Sequence, residues 1–537
     1  MCRRALTGEV IHRSGVTSTA PGPAWAAQRS DGGAPVDLGT REATSTTPRQ
    51  GVFRTKTIEQ SIADTEDPEH GLRKELSALD LIVYGVGVIV GTGIFVVTGA
   101  VAKQYAGPAI ALSFIASAVV CGLAALCYAE FASTVPVAGS AYTFSYASIG
   151  ELPAWIIGWD LVLELALGAG VVAGGWSGYV TNLLNNVGIT VPDQLSHKSG
   201  HYGFDVLAAA LVLVLTGIVM AGMKLSARVT GLVVAVKVTV VLLVIFAGLF
   251  YVTGSNYSPF LPPSQSNTGA GSTLHAPLVQ AAFGFTPSSF GVMGIFSGAA
   301  VVFFAFIGFD IVATAAEETR HPQRDMPRGI FGSLVVCTVL YVAVSLVVTG
   351  MQKYSELDTS APLASAFKAV GAPFWSGLIS FGAAVGLTSV VMILLLGQTR
   401  VFFAMSRDGL LPRAFSRVHP RFGTPYRTTV LLGVVVALIA GFFTVGQLEE
   451  MVNIGTLFAF VVVAVGVVVL RRTRPDLPRA FRAPWVPVLP VLSVCASLWL
   501  MINLSVETWL RFAGWMVLGF AIYFGYGRGH SRLARRD

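Results

Sequence analysis

Apolar residues in this chain come in long blocks separated by short polar segments, and strict alternation of polar and apolar positions is missing throughout. Twelve such blocks lie near residues 79–101, 107–132, 152–182, 204–222, 227–252, 291–317, 329–351, 373–403, 428–446, 451–470, 486–503 and 509–527. Crossing the hydrocarbon core of a bilayer takes about 20 apolar residues, so each block reads as a spanning helix. The predicted fold class is an all-α polytopic membrane protein with twelve transmembrane helices. Residues 139–149 are too polar for a span and predict a short helix at the interface before the third. Residues 1–78 show neither helical nor strand periodicity and read as a cytoplasmic tail, disordered over about its first fifty positions. Val52 is a candidate start of translation.

Composition sharpens this picture. With 53% hydrophobic and 12% charged residues and a mean hydropathy of +0.68, the 537-residue chain has too little polar surface for a soluble globule. The formal net charge of +7 would suit nucleic acid, but the cations sit in short segments between spans, which is a mark of membrane orientation. Threaded with the N-terminus inside, thirty of the 36 Lys and Arg fall on the cytoplasmic side and five outside (Lys103, Lys198, Lys353, Lys368 and Arg511). Both termini are therefore expected in the cytoplasm, and nucleic-acid binding is set aside. Cys121, Cys127, Cys337 and Cys495 lie within spans without ligand spacing, and read as small packing residues. Residues 1–50 contain no apolar stretch of signal-peptide type.

Two spans are unusual. The first carries four glycines and a threonine at its centre, Gly85, Gly87, Gly91, Thr92 and Gly93. Glycine weakens helices and accepts backbone angles that other residues refuse. Either Gly91-Thr92-Gly93 unwinds and exposes backbone N–H and C=O groups, or these glycines let a neighbouring helix pack closely. The sixth carries Phe303-Phe304-Ala305-Phe306-Ile307-Gly308-Phe309-Asp310, a glycine among aromatics followed by a carboxylate. Spans one and six open two sets of five, 79–252 and 291–470, and interrupted helices at matching places in two halves point to a transporter site.

Several motifs make a resemblance specific. Residues 87–95 (GVIVGTGIF), 139–160 (GSAYTFSYASIGELPAWIIGWD), 303–330 (FFAFIGFDIVATAAEETRHPQRDMPRGI) and 397–412 (GQTRVFFAMSRDGLLP) resemble the amino acid–polyamine–organocation superfamily, in its bacterial branch related to cationic amino acid transporters. The resemblance extends over roughly residues 53–527. It implies a leucine-transporter-type fold, a transport core over 79–470 built as a 5+5 inverted repeat, two peripheral helices within 471–527, and a basic cytoplasmic tail at 528–537.

An α-amino acid needs its carboxylate and its ammonium held apart. Backbone N–H groups at a half-helix N-terminus suit the carboxylate, and freed carbonyls suit the ammonium. The expected carboxylate site is the backbone of Gly91, Thr92 and Gly93 with the Thr92 hydroxyl, and the family motif implies Ile89 in the pocket wall. The expected ammonium site is the carbonyls of Phe304, Ala305 and Ile307 beside Gly308, with Phe304 or Phe306 closing over the side chain. For each phenylalanine, ordinary packing is the alternative.

Lys237 lies about eleven residues into the fifth span, ~16 Å along a helix at ~1.5 Å per residue. A charge there is expensive, so the amine is expected to be partnered or to spend part of its time neutral. The resemblance implies that it takes and releases a coupling proton where sodium-dependent relatives bind Na⁺, beside the first span and the Thr388–Ser389 stretch. A static ion pair or a snorkelling side chain is the competing role. Glu164, one turn beyond Asp160, is expected to face the cavity and to be coupled to Lys237 directly or through water. Asp310 is expected either to brace the second break or to touch substrate. Glu317, Glu318, Arg320 and Arg324 mark the cytoplasmic exit of the sixth span, as gate charges or a solvated end.

The function expected from this is secondary active import of cationic and/or neutral L-amino acids across the plasma membrane, coupled to protons, with no cofactor or metal. An exchanger of the same fold is the alternative. A membrane-embedded enzyme is a distant one, because all eight histidines fall in tails or loops and none has metal-site spacing. The partners expected are the amino acid and the lipid bilayer. The sequence does not fix the oligomeric state, a monomer being one reading.

Overall fold

A computed structural model of the chain describes residues 76–532 apart from 135–139, 193–194, 197–202, 223–226, 267–272, 285–287, 313–314, 316–318, 420–422, 478 and 480. The expected disordered tail, Glu317 and Glu318 lie outside the described residues. The rest is helical apart from a two-residue antiparallel pairing of Gln265–Ser266 with Ser288–Ser289.

Among the described residues, thirteen α-helices of nine or more residues carry the fold, labelled in chain order: α1 Ala78–Ile89, α2 Ile110–Thr134, α3 Ser140–Ser148, α4 Glu151–Asn186, α5 Val206–Met220, α6 Ala227–Gly248, α7 Gly291–Val302, α8 Pro322–Met351, α9 Pro373–Arg407, α10 Tyr426–Phe442, α11 Val445–Thr473, α12 Val488–Ile502 and α13 Val506–Ile522. Among the described residues, seven helices are long and apolar enough to cross a membrane by length and composition, and shorter apolar helices accompany them. The protein is a polytopic helical membrane protein. The polar stretch after the second span forms the short helix α3, as its composition predicts.

Local chemistry sets where the helices begin and stop. Ser77 caps α1 by accepting from the Asp80 amide at 3.4 Å, while Asp80 accepts from the Ser77 amide at 2.9 Å. The first span runs past its predicted end at 101 through π turns to Ala106. It stops at Gly107 (φ +60°) and Pro108, which together cannot continue a helix.

α4 is the centre of the bundle: 94% of its most apolar 18-residue window is buried, against 33% for α6, so α4 is wrapped by protein while α6 keeps a lipid-facing side. Glycines on α4 let neighbours approach. A Cβ on Gly170 would stand 3.1 Å from Leu448, and one on Gly175 would stand 2.9 Å from Thr92. α13 is fastened to α4 by tryptophans. Trp159 stacks on Trp155 (centroids 5.7 Å apart) and on Trp515 (4.3 Å), and the Trp155 and Trp159 indoles each donate at 3.0 Å to carbonyls of α13, those of Gly519 and Trp515.

At the end of α2, the buried Glu130 carboxylate accepts two bonds from Arg471 (2.8 and 2.6 Å) and one from the Ala483 amide (2.9 Å), with Arg479 3.6 Å away. A buried carboxylate with its lone pairs taken up in this way is a stable anchor, and it ties the end of α11 and the segment after it to α2.

Candidate substrate site

Both suspect spans are broken. α1 ends at Ile89, Val90 turns to ψ 93°, and helix resumes at Thr92 through a π turn over Gly93–Val97. In the other, α7 gives way to a 3-10 turn, Phe303–Phe306, then to Ile307 (ψ 134°) and Gly308 at φ +117°, before the short helix Phe309–Val312. That φ is a region L side chains rarely adopt, which is why a glycine stands there. The Gly308 amide donates to Asp310 Oδ1 at 3.2 Å, so Asp310 sits as a brace across the break and helps to cap the half-helix that follows.

The two breaks touch. A Cβ on Gly93 would lie 2.2 Å from the Ala305 Cα, and one on Gly308 would lie 2.8 Å from Val88 Cγ1. The Tyr341 hydroxyl on α8 lies 2.8 Å from the Ile89 carbonyl oxygen and 2.9 Å from that of Ala305, joining the two loose ends. Asn453 on α11 donates to the Ala300 and Val301 carbonyls at 2.9 and 3.0 Å, and Tyr179 on α4 donates to Phe95 O at 2.6 Å. Neither break is loose chain.

A cavity opens at this junction. Its backbone-rich side is Gly91, Thr92 and Gly93, where the amides at the start of a half-helix have no partner one turn back. The Thr92 hydroxyl is buried and makes no hydrogen bond among the described residues. Facing it are Phe304 and Ile307 of the second break. The remaining wall is Val88, Ile89 and Ile311, Glu164, Leu165, Gly168 and Val172 of α4, Val390 and Leu394 of α9, and Val452 of α11.

Of the residues proposed from sequence to hold substrate, Ile89, Gly91, Thr92, Gly93, Phe304 and Ile307 line the cavity. Ala305, Phe306 and Gly308 do not. Ala305 is pressed against Gly93 with its carbonyl engaged by Tyr341, and Phe306 packs edge-on to Phe114 and tilted against Tyr341. The Phe304 carbonyl accepts the Ile307 amide at 3.3 Å. This geometry leaves Phe304, and not Phe306, beside the ligand space.

Lys237 is 1% exposed and donates from Nζ to the Gly87 carbonyl at 2.8 Å. Its methylene stem lies against Gly386 of α9, where a Cβ would come within 2.8 Å of Cγ. The amine thus points into the protein, one turn before the first break, and does not snorkel. Thr388 and Ser389 donate within their own helix, to Ala384 and Gly386, and Ser389 also borders a second cavity beside Gly87. Glu164 borders the main cavity with Oε2 unpartnered among the described residues. Lys237 and Glu164 form no ion pair among the described residues, because each reaches the first broken span from a different side. Arg320 and Arg324 are exposed beyond the end of the sixth span.

Residues 76–524 match the family model described as amino acid permease. The chain belongs to that family. Among similar permeases and transporters, the methylthioribose transporter of Bacillus subtilis is 44% identical over 90% of this chain and 99% of its own length. The branched-chain amino acid permease BcaP of the same organism is 45% identical over 90% and 99%. The vacuolar cationic amino acid transporter 4 of Arabidopsis thaliana is 31% identical over 90% and 96%. As a member of the amino acid permease family, the chain is a membrane transporter, and its cavity at two facing helix breaks is the candidate permeation site.

Tyr341, Asn453 and Tyr179 were not singled out from the sequence. Each is a polar group within an apolar span, and a buried hydroxyl or amide in lipid is expected to find a partner. Replacing Tyr341 by phenylalanine keeps the ring and removes the bridge between the breaks. The expected result is a loss of about 1–3 kcal/mol, the usual cost of stranding buried hydrogen-bonding groups, read as a lower thermal midpoint of the purified protein.

Proposed function

We propose that this permease imports neutral aliphatic L-amino acids across the plasma membrane by proton symport, with N- and C-termini in the cytoplasm and a 5+5 repeat as its moving core. The observation that carries the proposal is the cavity itself: backbone amides and a free Thr92 hydroxyl on one side, hydrocarbon on the other. The amides at Gly91–Gly93 suit the substrate carboxylate, and the Ile307 carbonyl at the second break suits its ammonium. Ten of the fifteen residues lining the cavity carry pure hydrocarbon side chains and one carries a carboxylate, which favours an aliphatic substrate side chain over a guanidinium. The cargo named for one relative, a branched-chain amino acid, agrees with that wall.

In this reading, Lys237 takes the coupling proton. Its amine is held by the backbone of the first broken helix, so a change in its protonation acts on the helix that grips the substrate carboxylate. Glu164, at the edge of the cavity, communicates with it through the ligand space and not by direct contact.

Purified protein in liposomes free of internal amino acid, given an inward proton gradient, is expected to accumulate labelled alanine, leucine or isoleucine and to lose this on adding a protonophore. Uptake only into vesicles preloaded with amino acid would make the protein an exchanger. Uptake of arginine and lysine alone would replace the aliphatic assignment with the cationic one.

A further inference from the structure

We propose that Gly168 sets the size limit of the substrate side chain. This rests on the cavity being the amino acid site. Gly168 lies within α4, a 36-residue helix, where glycine is the poorest helix former after proline. Glycines elsewhere on α4 have a packing reason. An added Cβ would stand 3.1 Å from Leu448 at Gly170, 2.9 Å from Val445 at Gly174, 2.9 Å from Thr92 at Gly175 and 2.8 Å from the Ser360 carbonyl oxygen at Gly178. At Gly168 the nearest atom is Leu394 Cδ1 at 3.6 Å, an ordinary van der Waals contact. Helix packing therefore leaves room for a methyl group at this position, and the local backbone would favour one.

What the missing methyl leaves open is the cavity. Gly168 borders it one turn above Glu164 and one turn below Val172, with Val390 and Leu394 of α9 across the space. A side chain there would enter the ligand space on its hydrocarbon side, away from the Thr92 amides and hydroxyl. Gly168 is thus a specificity residue: it gives the substrate side chain the volume that any other residue would occupy, and Leu394 is the opposite wall of that volume.

The test is uptake kinetics in proteoliposomes for alanine, valine, leucine, isoleucine and methionine. In Gly168→Ala, the efficiency for isoleucine relative to alanine is expected to fall about 10–200-fold, the discrimination one methylene-sized change in a hydrophobic pocket produces. The double variant Gly168→Ala, Leu394→Ala is expected to recover most of that ratio, because Leu394 is the side chain the new methyl would meet. A ratio unchanged in Gly168→Ala overturns the inference. So does an equal loss for every substrate, which would mean that the glycine serves helix movement and not side-chain fit. Wild-type protein that carries none of the five would sink the reading of the site itself, and is distinguished from the other two failures because it appears before any substitution is made.

Discussion

Replacing Lys237 by methionine is expected to abolish proton-driven accumulation of substrate. The side chain is 1% exposed, its single recorded hydrogen bond goes to the Gly87 carbonyl, and no carboxylate pairs with it among the described residues. Methionine keeps the length and fills the space against Gly386, but it neither carries a proton nor donates to Gly87. Arginine at the same place would keep a donor and a charge, but it does not release its proton at any working pH. Both variants are therefore expected to lose the dependence of uptake on external pH, for opposite reasons. The measurement is initial uptake in proteoliposomes across an imposed pH gradient, with binding of the same substrate to the purified variant as the control for folding. If arginine restored wild-type accumulation, Lys237 would be a structural pin on the first span and proton handling would lie elsewhere.

Gly93→Ala is expected to be the most damaging single substitution at the helix junction. The added Cβ would stand 2.2 Å from the Cα and 2.9 Å from the amide nitrogen of Ala305, so the clash is with backbone and no rotamer relieves it. Relief requires the two broken helices to move apart. That motion would stretch the Tyr341 bridge to Ile89 and Ala305 and widen the cavity at the place where the carboxylate is expected to bind. Overpacking of a close-packed interior typically costs ~1–3 kcal/mol, and ~1.4 kcal/mol is a factor of ten. Substrate affinity is expected to fall between about fivefold and 150-fold on that scale. Ala305→Gly in the same protein is not expected to restore it, because the offending atoms are main chain. Recovery on adding Ala305→Gly would show that only the Ala305 methyl group separates the helices.

The contrast between Gly93 and Gly168 shows how far the sequence could be read. Both are glycines in apolar spans, and composition treats them alike. Gly93 belonged to a cluster of glycines around a threonine, which offered a broken helix as one of two readings, the other being close helix packing. Gly168 sat in Ala166-Leu167-Gly168-Ala169-Gly170, a run of small residues that signals close helix packing in any membrane bundle. Only the distance across to Leu394 separates a glycine kept for a neighbour from one kept for a ligand. Lys237 was conspicuous because a cation in a span is costly in itself. Its partner was not legible, since the acceptor is a carbonyl, and a backbone atom 150 residues away leaves no trace in the sequence.

The sequence by itself determined the class of the protein and singled out the two spans in which helices come apart. Hydrophobic block length, glycine content and the cost of charge in lipid are local properties, and each is written within a few consecutive residues. The tertiary structure decided what those breaks do: that Gly93 meets Ala305, that Tyr341 joins Ile89 to Ala305, that Phe304 faces the cavity while Phe306 turns away. It also decided that Lys237 and Glu164 reach the first span from different sides. These depend on which faces of separate helices are brought together, and in an all-apolar helix the sequence marks no face as inner or outer until its neighbours are in place.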